Sequence, residues 1–176
     1  TLKLPVTLVT GFDEQPKFSY DKIVRVDNSN TSNFRTNLND EQVTWRNFGR
    51  YLAYELSPYD QTLLLDSDYL VFDDNLLKLF ESTVDYRLMH HNTNYNNTII
   101  EHMEETSLPF VWATVILFRK SEKAELLFDL VSKIQRNYSY YRALYNIREG
   151  NYRNDYAFAI ANNILSGYDL NEDQGI

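Results

Sequence analysis

At 176 residues with 43 % hydrophobic and 15 % aromatic side chains, the chain can fill one core but not two, so residues 1–176 are read as a single globular domain. A formal charge of -8 argues against a broad basic face for nucleic acid, and no apolar run approaches the ~18 residues of a membrane helix, so no span is expected. Cysteine is absent, which removes disulfides, thiolate metal sites and a thiol nucleophile, and with no leader visible a cytoplasmic location is the expectation.

The chain opens on a strand-like run at residues 6–10, stopped by Gly11. Neither Met nor a leader precedes it, and the far end stops at Ile176 without a finishing element, so both ends read as trimmed. Residues 22–27 alternate polar and apolar side chains and predict a second, shorter strand. Residues 28–40 are rich in Asn, Ser and Thr and predict a loop. Trp45, Phe48, Leu52 and Leu56 then recur at helical spacing and predict an amphipathic helix ending before Ser57-Pro58. Arg46 and Arg50 lie one turn apart on its flank, either as solvated charges or within reach of an anion near the next strand end.

The most informative stretch follows: Leu63-Leu64-Leu65-Asp66-Ser67-Asp68-Tyr69-Leu70-Val71-Phe72. A short apolar run bounded by polar residues predicts a strand buried on both faces. Carboxylates are rarely buried there unless paired or bound to a metal. If the strand continues to Asp68, side chains at i and i+2 share a side and Asp66 and Asp68 converge. Two hard oxygen ligands suit Mg²⁺ or Mn²⁺ completed by water and a substrate's phosphates. The alternative is that both aspartates merely begin a turn.

Beyond it, Asp73-Asp74-Asn75 predicts a turn and helix cap ahead of Leu76, Leu77, Leu79 and Phe80. Residues 85–91 predict a strand ending in His90-His91, whose side chains point to opposite faces and do not readily share an ion. His102 is isolated in a polar, acidic loop predicted over residues 93–107. Residues 109–118 predict a second buried strand, in which Ala113 and Thr114 leave room beside Trp112 for a ligand. Ser121 is a candidate cap for a helix through Leu126, Leu127, Leu130, Val131 and Ile134. Residues 137–148 are rich in Tyr and read as helical or lid-like. A final helix begins at Asn154-Asp155 and ends near Gly167, with Asp155 either a helix N-terminal charge or a site residue.

This alternation of strands and helices predicts an α/β layered domain. Ligands of open α/β sheets sit beyond the carboxyl ends of strands, where Asp66 and Asp68 fall. Gly-rich phosphate loops are missing from the sequence, so phosphates would be held through metal.

Asp66-Ser67-Asp68 behind three leucines, with Arg50 on the preceding helix and Tyr69-Leu70-Val71 after it, resembles the Asp-x-Asp strand of GT-A-fold glycosyltransferases, particularly family-eight-like enzymes related to glycogenin and bacterial galactosyltransferases. The resemblance implies a GT-A-like layered domain with a mostly parallel mixed sheet and helices on both faces. It also implies a further strand ahead of Val6 and a metal-binding His beyond Ile176. Asp66 and Asp68 would hold Mn²⁺ or Mg²⁺, while Arg50, Asp66, Trp112 and Thr114 would bind the donor. Asp155 is the catalytic candidate, with Trp112-Ala113-Thr114 and Asn154-Asp155 standing where the family has Asn-Ala-Gly and Asp-Gln. The implied reaction moves a sugar from a nucleoside-diphosphate sugar, a UDP-sugar first, to an acceptor hydroxyl on a carbohydrate or protein. Two alternatives remain open. One is a haloacid-dehalogenase-type hydrolase with Asp66 as nucleophile, although such motifs open their domain and continue with Gly-Thr. The other is a non-catalytic module whose aromatic residues dock carbohydrate or protein.

Overall fold

The computed structural model describes residues 3–13, 17–27, 33–36, 39–46, 49–90, 92–93 and 98–168. In chain order these form β1 (Thr7–Thr10), β2 (Lys22–Arg25), β3 (Phe34–Thr36) and β4 (Gln42–Thr44), then a 3-10 turn at Arg50–Leu52 running into α1 (Ala53–Leu56). β5 (Gln61–Leu65) follows, then a 3-10 segment at Asn75–Glu81, β6 (Tyr86–Met89), β7 (Asn92–Thr93), β8 (Ile99–Ile100) and β9 (Trp112–Arg119). Helices α2 (Glu122–Arg136), α3 (Tyr138–Leu144) and α4 (Asn154–Leu165) complete the described chain.

β9 is the longest of the described strands and buries side chains on both of its faces. It lies between β5 and β6 and runs antiparallel to each. Leu64 opposes Ile116 and Leu88 opposes Ile116 from the other side, so the same side chain is packed by both neighbours. Ile116 and Phe118, both 0 % exposed, belong to the core that includes Leu127, Phe128, Val131 and Ile134 of α2 and Phe158 and Ile160 of α4. Val115 and Leu117 project to the opposite face and are also buried, so that side of the sheet is covered too. The Phe128 ring lies 4.9 Å from that of Phe118 and 5.5 Å from that of Phe158, in edge-on contacts that favour interlocking over sliding.

The fold is α/β, with small and mostly antiparallel sheets where a mostly parallel sheet was expected. Among the described residues only β1 and β2 pair in parallel, Thr7 opposite Lys22. The reason lies in element order. A parallel return needs a crossover of a dozen or more residues, usually helical, whereas the long helices α2 and α4 follow the last strand.

Ser121 caps α2 as its sequence implies: its extended backbone lets Oγ accept from the Ala124 N–H at 3.3 Å, with Glu122 and Glu125 in the first turn and Lys133 and Arg136 in the last. The buried stripe includes Phe128, while Leu126 is exposed. α4 buries six successive residues from Tyr156 to Ala161, and it ends where Gly167, at φ +65, takes the left-handed conformation that a side chain resists.

Elsewhere the chain departs from its sequence pattern. The helix expected from Trp45 is formed only from Arg50, and residues 47–48, including Phe48, lie outside the described residues. The predicted loop at residues 28–40 contains β3, whose Phe34 opposes Thr44 of β4. Within the polar loop expected at residues 93–107, residues 94–97 lie outside the described residues, and the described part carries β8 and a bridge between His102 and Pro109. Met103 and Leu108 are buried and joined by a backbone hydrogen bond of 3.0 Å, and Phe110 N–H donates to the Glu101 carbonyl at 2.8 Å. No described helix is long and apolar enough to cross a membrane.

Phe128→Ala removes the ring on which sheet and helices meet. We expect it to destabilise the fold by about 3–5 kcal/mol, read as a lower urea midpoint in equilibrium unfolding. A loss under about 1 kcal/mol would place the core elsewhere.

Candidate functional site

The carboxylates of the acidic stretch do not lie on a strand. β5 stops at Leu65, and one rung beyond its last pair the Asp66 N–H still donates to the Thr114 carbonyl at 3.2 Å. The chain then turns, with Tyr69 N–H donating to the Asp66 carbonyl at 3.0 Å, so Ser67 and Asp68 occupy the turn's central positions. The i, i+2 convergence argument for Asp66 and Asp68 therefore does not apply. What survives is their position at the carboxyl end of a sheet strand. The apolar run after them is not a strand either: Leu70 and Phe72 are 70 % and 91 % exposed.

Asp66 is compensated from two directions. Arg50, positioned by the 3-10 turn ahead of α1, forms an ion pair from Nη2 to Asp66 Oδ1, and Thr114 Oγ1 donates to Oδ2 at 3.0 Å. The Arg50 side chain is only 17 % exposed. Its burial lowers the guanidinium below its ordinary value, while Asp155, Tyr152 and Asp68 act in the opposite sense. Arg50 is thus the anion-reaching residue of the two alternatives. Its Nη1 is buried without a hydrogen-bond partner among the described residues. Arg46 instead lies over the Phe12 ring at 5.4 Å and stays at the surface.

Asp155 stands in the first turn of α4 and is fixed as firmly. Its Oδ1 accepts from the Ala113 N–H at 3.0 Å, and its Oδ2 takes a 2.8 Å ion pair from Arg153. Neighbouring residues of β9 thereby hold the two carboxylates, Ala113 holding Asp155 and Thr114 holding Asp66. Trp112, which precedes them, is 40 % exposed and meets Phe110 edge-on at 6.0 Å.

Beside Asp155 lies a cleft of about 90 Å³ lined by His102, Glu104, Phe110, Arg153, Asp155 and Tyr156 together with Ile100 and Met103. Arg153 lies over the rings of Trp45 and Tyr156 at 5.6 and 5.5 Å. Glu104 ties the wall at residues 101–109 to the approach to α4. It accepts from Arg148 N–H at 2.9 Å, Tyr156 Oη at 2.7 Å and Glu149 N–H at 3.3 Å. Burial alone would raise its carboxyl group, but these donors and the Arg148 charge outweigh it and hold Glu104 below its ordinary value.

Arg50, Asp66, Thr114 and Asp155 are thus gathered into one cluster, with Asp68 exposed on the adjoining turn and Trp112 at the edge. Asp73 serves a turn, its Oδ1 accepting from Asn75 N–H at 3.0 Å. Among the described residues no group of three or more His, Cys, Asp or Glu side chains could hold a metal, so neither His90 nor His102 completes a cage; His91 lies outside the described residues. The donor set still suits one kind of hard-cation site. Mg²⁺ is commonly held by one or two carboxylates plus substrate phosphates, and Asp66, with two of its roughly four lone-pair positions engaged, retains acceptor capacity beside Asp68. Sequence reasoning missed Arg153, Glu104 and Tyr156. Their only signal was a Tyr-rich, charged surround, which leaves unstated that residues some 50 positions apart meet.

Comparison of the chain with protein-family models, with curated proteins and with solved structures finds no match among any of them.

The Glu104 bonds set a sign for acid behaviour. A carboxyl lowered in the folded state adds stability above its unfolded value of about 4.5, and that contribution disappears as pH falls through the lower folded value. Glu104→Gln should therefore be less stable than the parent at pH 7, with the gap narrowing below about pH 4.5 in urea unfolding across pH. A gap that widens in acid would show that Glu104 is not held charged.

Proposed function

We propose that the chain is the metal-dependent core of a glycosyltransferase that moves a sugar from a nucleoside-diphosphate sugar, a UDP-sugar first, to an acceptor hydroxyl. The observation that carries this reading is the meeting of Arg50, Asp66 and Thr114 at the carboxyl end of β5, with Asp68 exposed on the next turn and Asp155 beside them. Asp68 and the remaining lone pairs of Asp66 would hold Mn²⁺ or Mg²⁺. When bound, the ion supplies Lewis-acid neutralisation of charge gathering on the leaving diphosphate.

The chain's own groups do the rest. Arg50, anchored to Asp66 through Nη2, would place its positive charge beside the diphosphate position, electrostatic stabilisation from a poorly solvated group. Thr114 keeps Asp66 from rotating. Asp155, locked by Ala113 and Arg153, presents its free lone pairs to a sugar hydroxyl. In the transfer, the acceptor oxygen bonds to the anomeric carbon as that carbon's bond to the diphosphate oxygen breaks. The electron pair leaves with the diphosphate and the proton passes to solvent.

The hydrolase alternative has less support, because Tyr69-Leu70 stand where such motifs continue with Gly-Thr. The binding-module alternative is favoured by one observation, the exposed Trp112 beside Phe110.

Asp68→Ala is the deciding variant, since Asp68 is exposed and its loss should leave the fold intact. In calorimetric titrations with UDP and Mn²⁺ we expect at least about a 100-fold loss of metal-dependent affinity. Unchanged affinity would remove the metal role. Phosphate release from a generic ester, with an aspartyl-phosphate trapped at Asp66, would transfer the assignment to the hydrolase class.

A further inference from the structure

Resting on the transferase reading, we propose that the cleft bounded by Phe110, Tyr156, Glu104, Arg153, Asp155 and His102 is the acceptor subsite, and that it takes a neutral hydroxylated ring, a sugar residue in place of a peptide side chain or a phosphorylated acceptor.

Position supports this first. The cleft includes Phe110, just ahead of the start of β9 at Trp112, and Phe110 precedes Thr114 by four residues, a reach of up to about 14 Å. Asp155 is shared, since its Oδ1 accepts from the Ala113 N–H, next to the Thr114 that holds Asp66, and its side chain also lines the cleft. Chemistry supports it second. The walls combine apolar ring surface from Phe110 and Tyr156 with acceptors on Asp155 and Glu104, the pairing of flat apolar faces and convergent polar groups that positions small polar rings. Trp112 extends this surface outward through its edge contact with Phe110.

Charge decides between neutral and anionic ligands. The one arginine of the lining, Arg153, is already paired with Asp155, and Glu104 adds a second carboxylate. A phosphate entering here would meet net negative charge, whereas hydroxyl groups find acceptors on both carboxylates. The wall is also prepared in advance, because the three bonds to Glu104 fix residues 101–109 before a ligand arrives.

The test is an NMR titration of the protein with methyl glucoside, galactoside and mannoside, each with and without UDP and Mn²⁺, in parent, Phe110→Ala, His102→Trp and Asp68→Ala forms. We expect saturable shifts of the Phe110, Trp112 and Tyr156 ring signals with at least one glycoside. Phe110→Ala should weaken that binding at least about tenfold, as loss of an aromatic anchor does. His102→Trp, at an exposed rim position, should block the cleft if Phe110→Ala fails to fold. Neither should change UDP affinity by more than about twofold, whereas Asp68→Ala should abolish UDP binding and spare glycoside binding. Glycosides that shift nothing in the cleft while UDP and Mn²⁺ still bind would overturn the acceptor assignment and leave the transferase reading standing. Glycosides that bind in the cleft while UDP does not would keep a sugar site and remove the transferase. Tighter binding of glucose 6-phosphate than of methyl glucoside would overturn the neutral-ligand claim.

Discussion

A carboxylate at the tip of a packed strand loses water and must recover its solvation from the protein, and for Asp66 the recovery comes from Arg50 and Thr114. Either partner alone would leave one oxygen open and the side chain free to rotate. Together they fix a negative charge at the point where β5 leaves the sheet, and they make the position of α1 and the register of β9 conditions for the same site. Arg50 is itself mostly buried, so the pair is mutual. Removing either partner would strand a poorly hydrated charge, a larger cost than an exposed pair would carry.

The antiparallel register explains why the second carboxylate sits where it does. Because β9 starts where β5 ends, its first residues lie next to Asp66, and adjacent residues serve both acids, Ala113 through its backbone N–H and Thr114 through its hydroxyl. Asp155 is delivered by a helix remote in sequence, yet both of its oxygens are engaged, like those of Asp66. Glu104 repeats the same device further out, using backbone N–H groups and a tyrosine hydroxyl to seat a wall that has little apolar anchorage beyond Met103 and Leu108. The result is a row of carboxylates along one edge of the sheet, each held by donors that leave some lone pairs free.

Much of this was legible where local chemistry dominates. Ser121 as a cap and Gly167 as a stop follow from side-chain size and backbone preference and form as read, while the buried strand expected over residues 109–118 forms as β9 only from Trp112. The sequence misled where non-local pairing decides. Phe34 joins a strand because Thr44 opposes it, a partner that composition does not reveal. Leu70, Val71 and Phe72 read as a buried continuation, but Ser67 and Asp68 turn the chain first and leave that run exposed. The same turn preserved the site while removing the reason given for it: the aspartates sit at a strand end as turn formers, and Asp68 is accessible because the strand has ended. Alternating strands and helices suggest parallel pairing, yet among the described residues no α-helix lies in the chain between any two strands that pair.

A fixed anionic tip, a buried guanidinium paired with it and a cleft bordered by Asp155 are the features on which the proposed two-substrate site rests, with cation and diphosphate at the tip. Paramagnetic broadening by Mn²⁺ tests that most directly. With UDP present, the account predicts that Mn²⁺ selectively broadens the amide signals of residues 66–69 and of Ala113 and Thr114, which surround the tip. Broadening centred instead on Asp73 and Asp74, or none that UDP enhances, would contradict it.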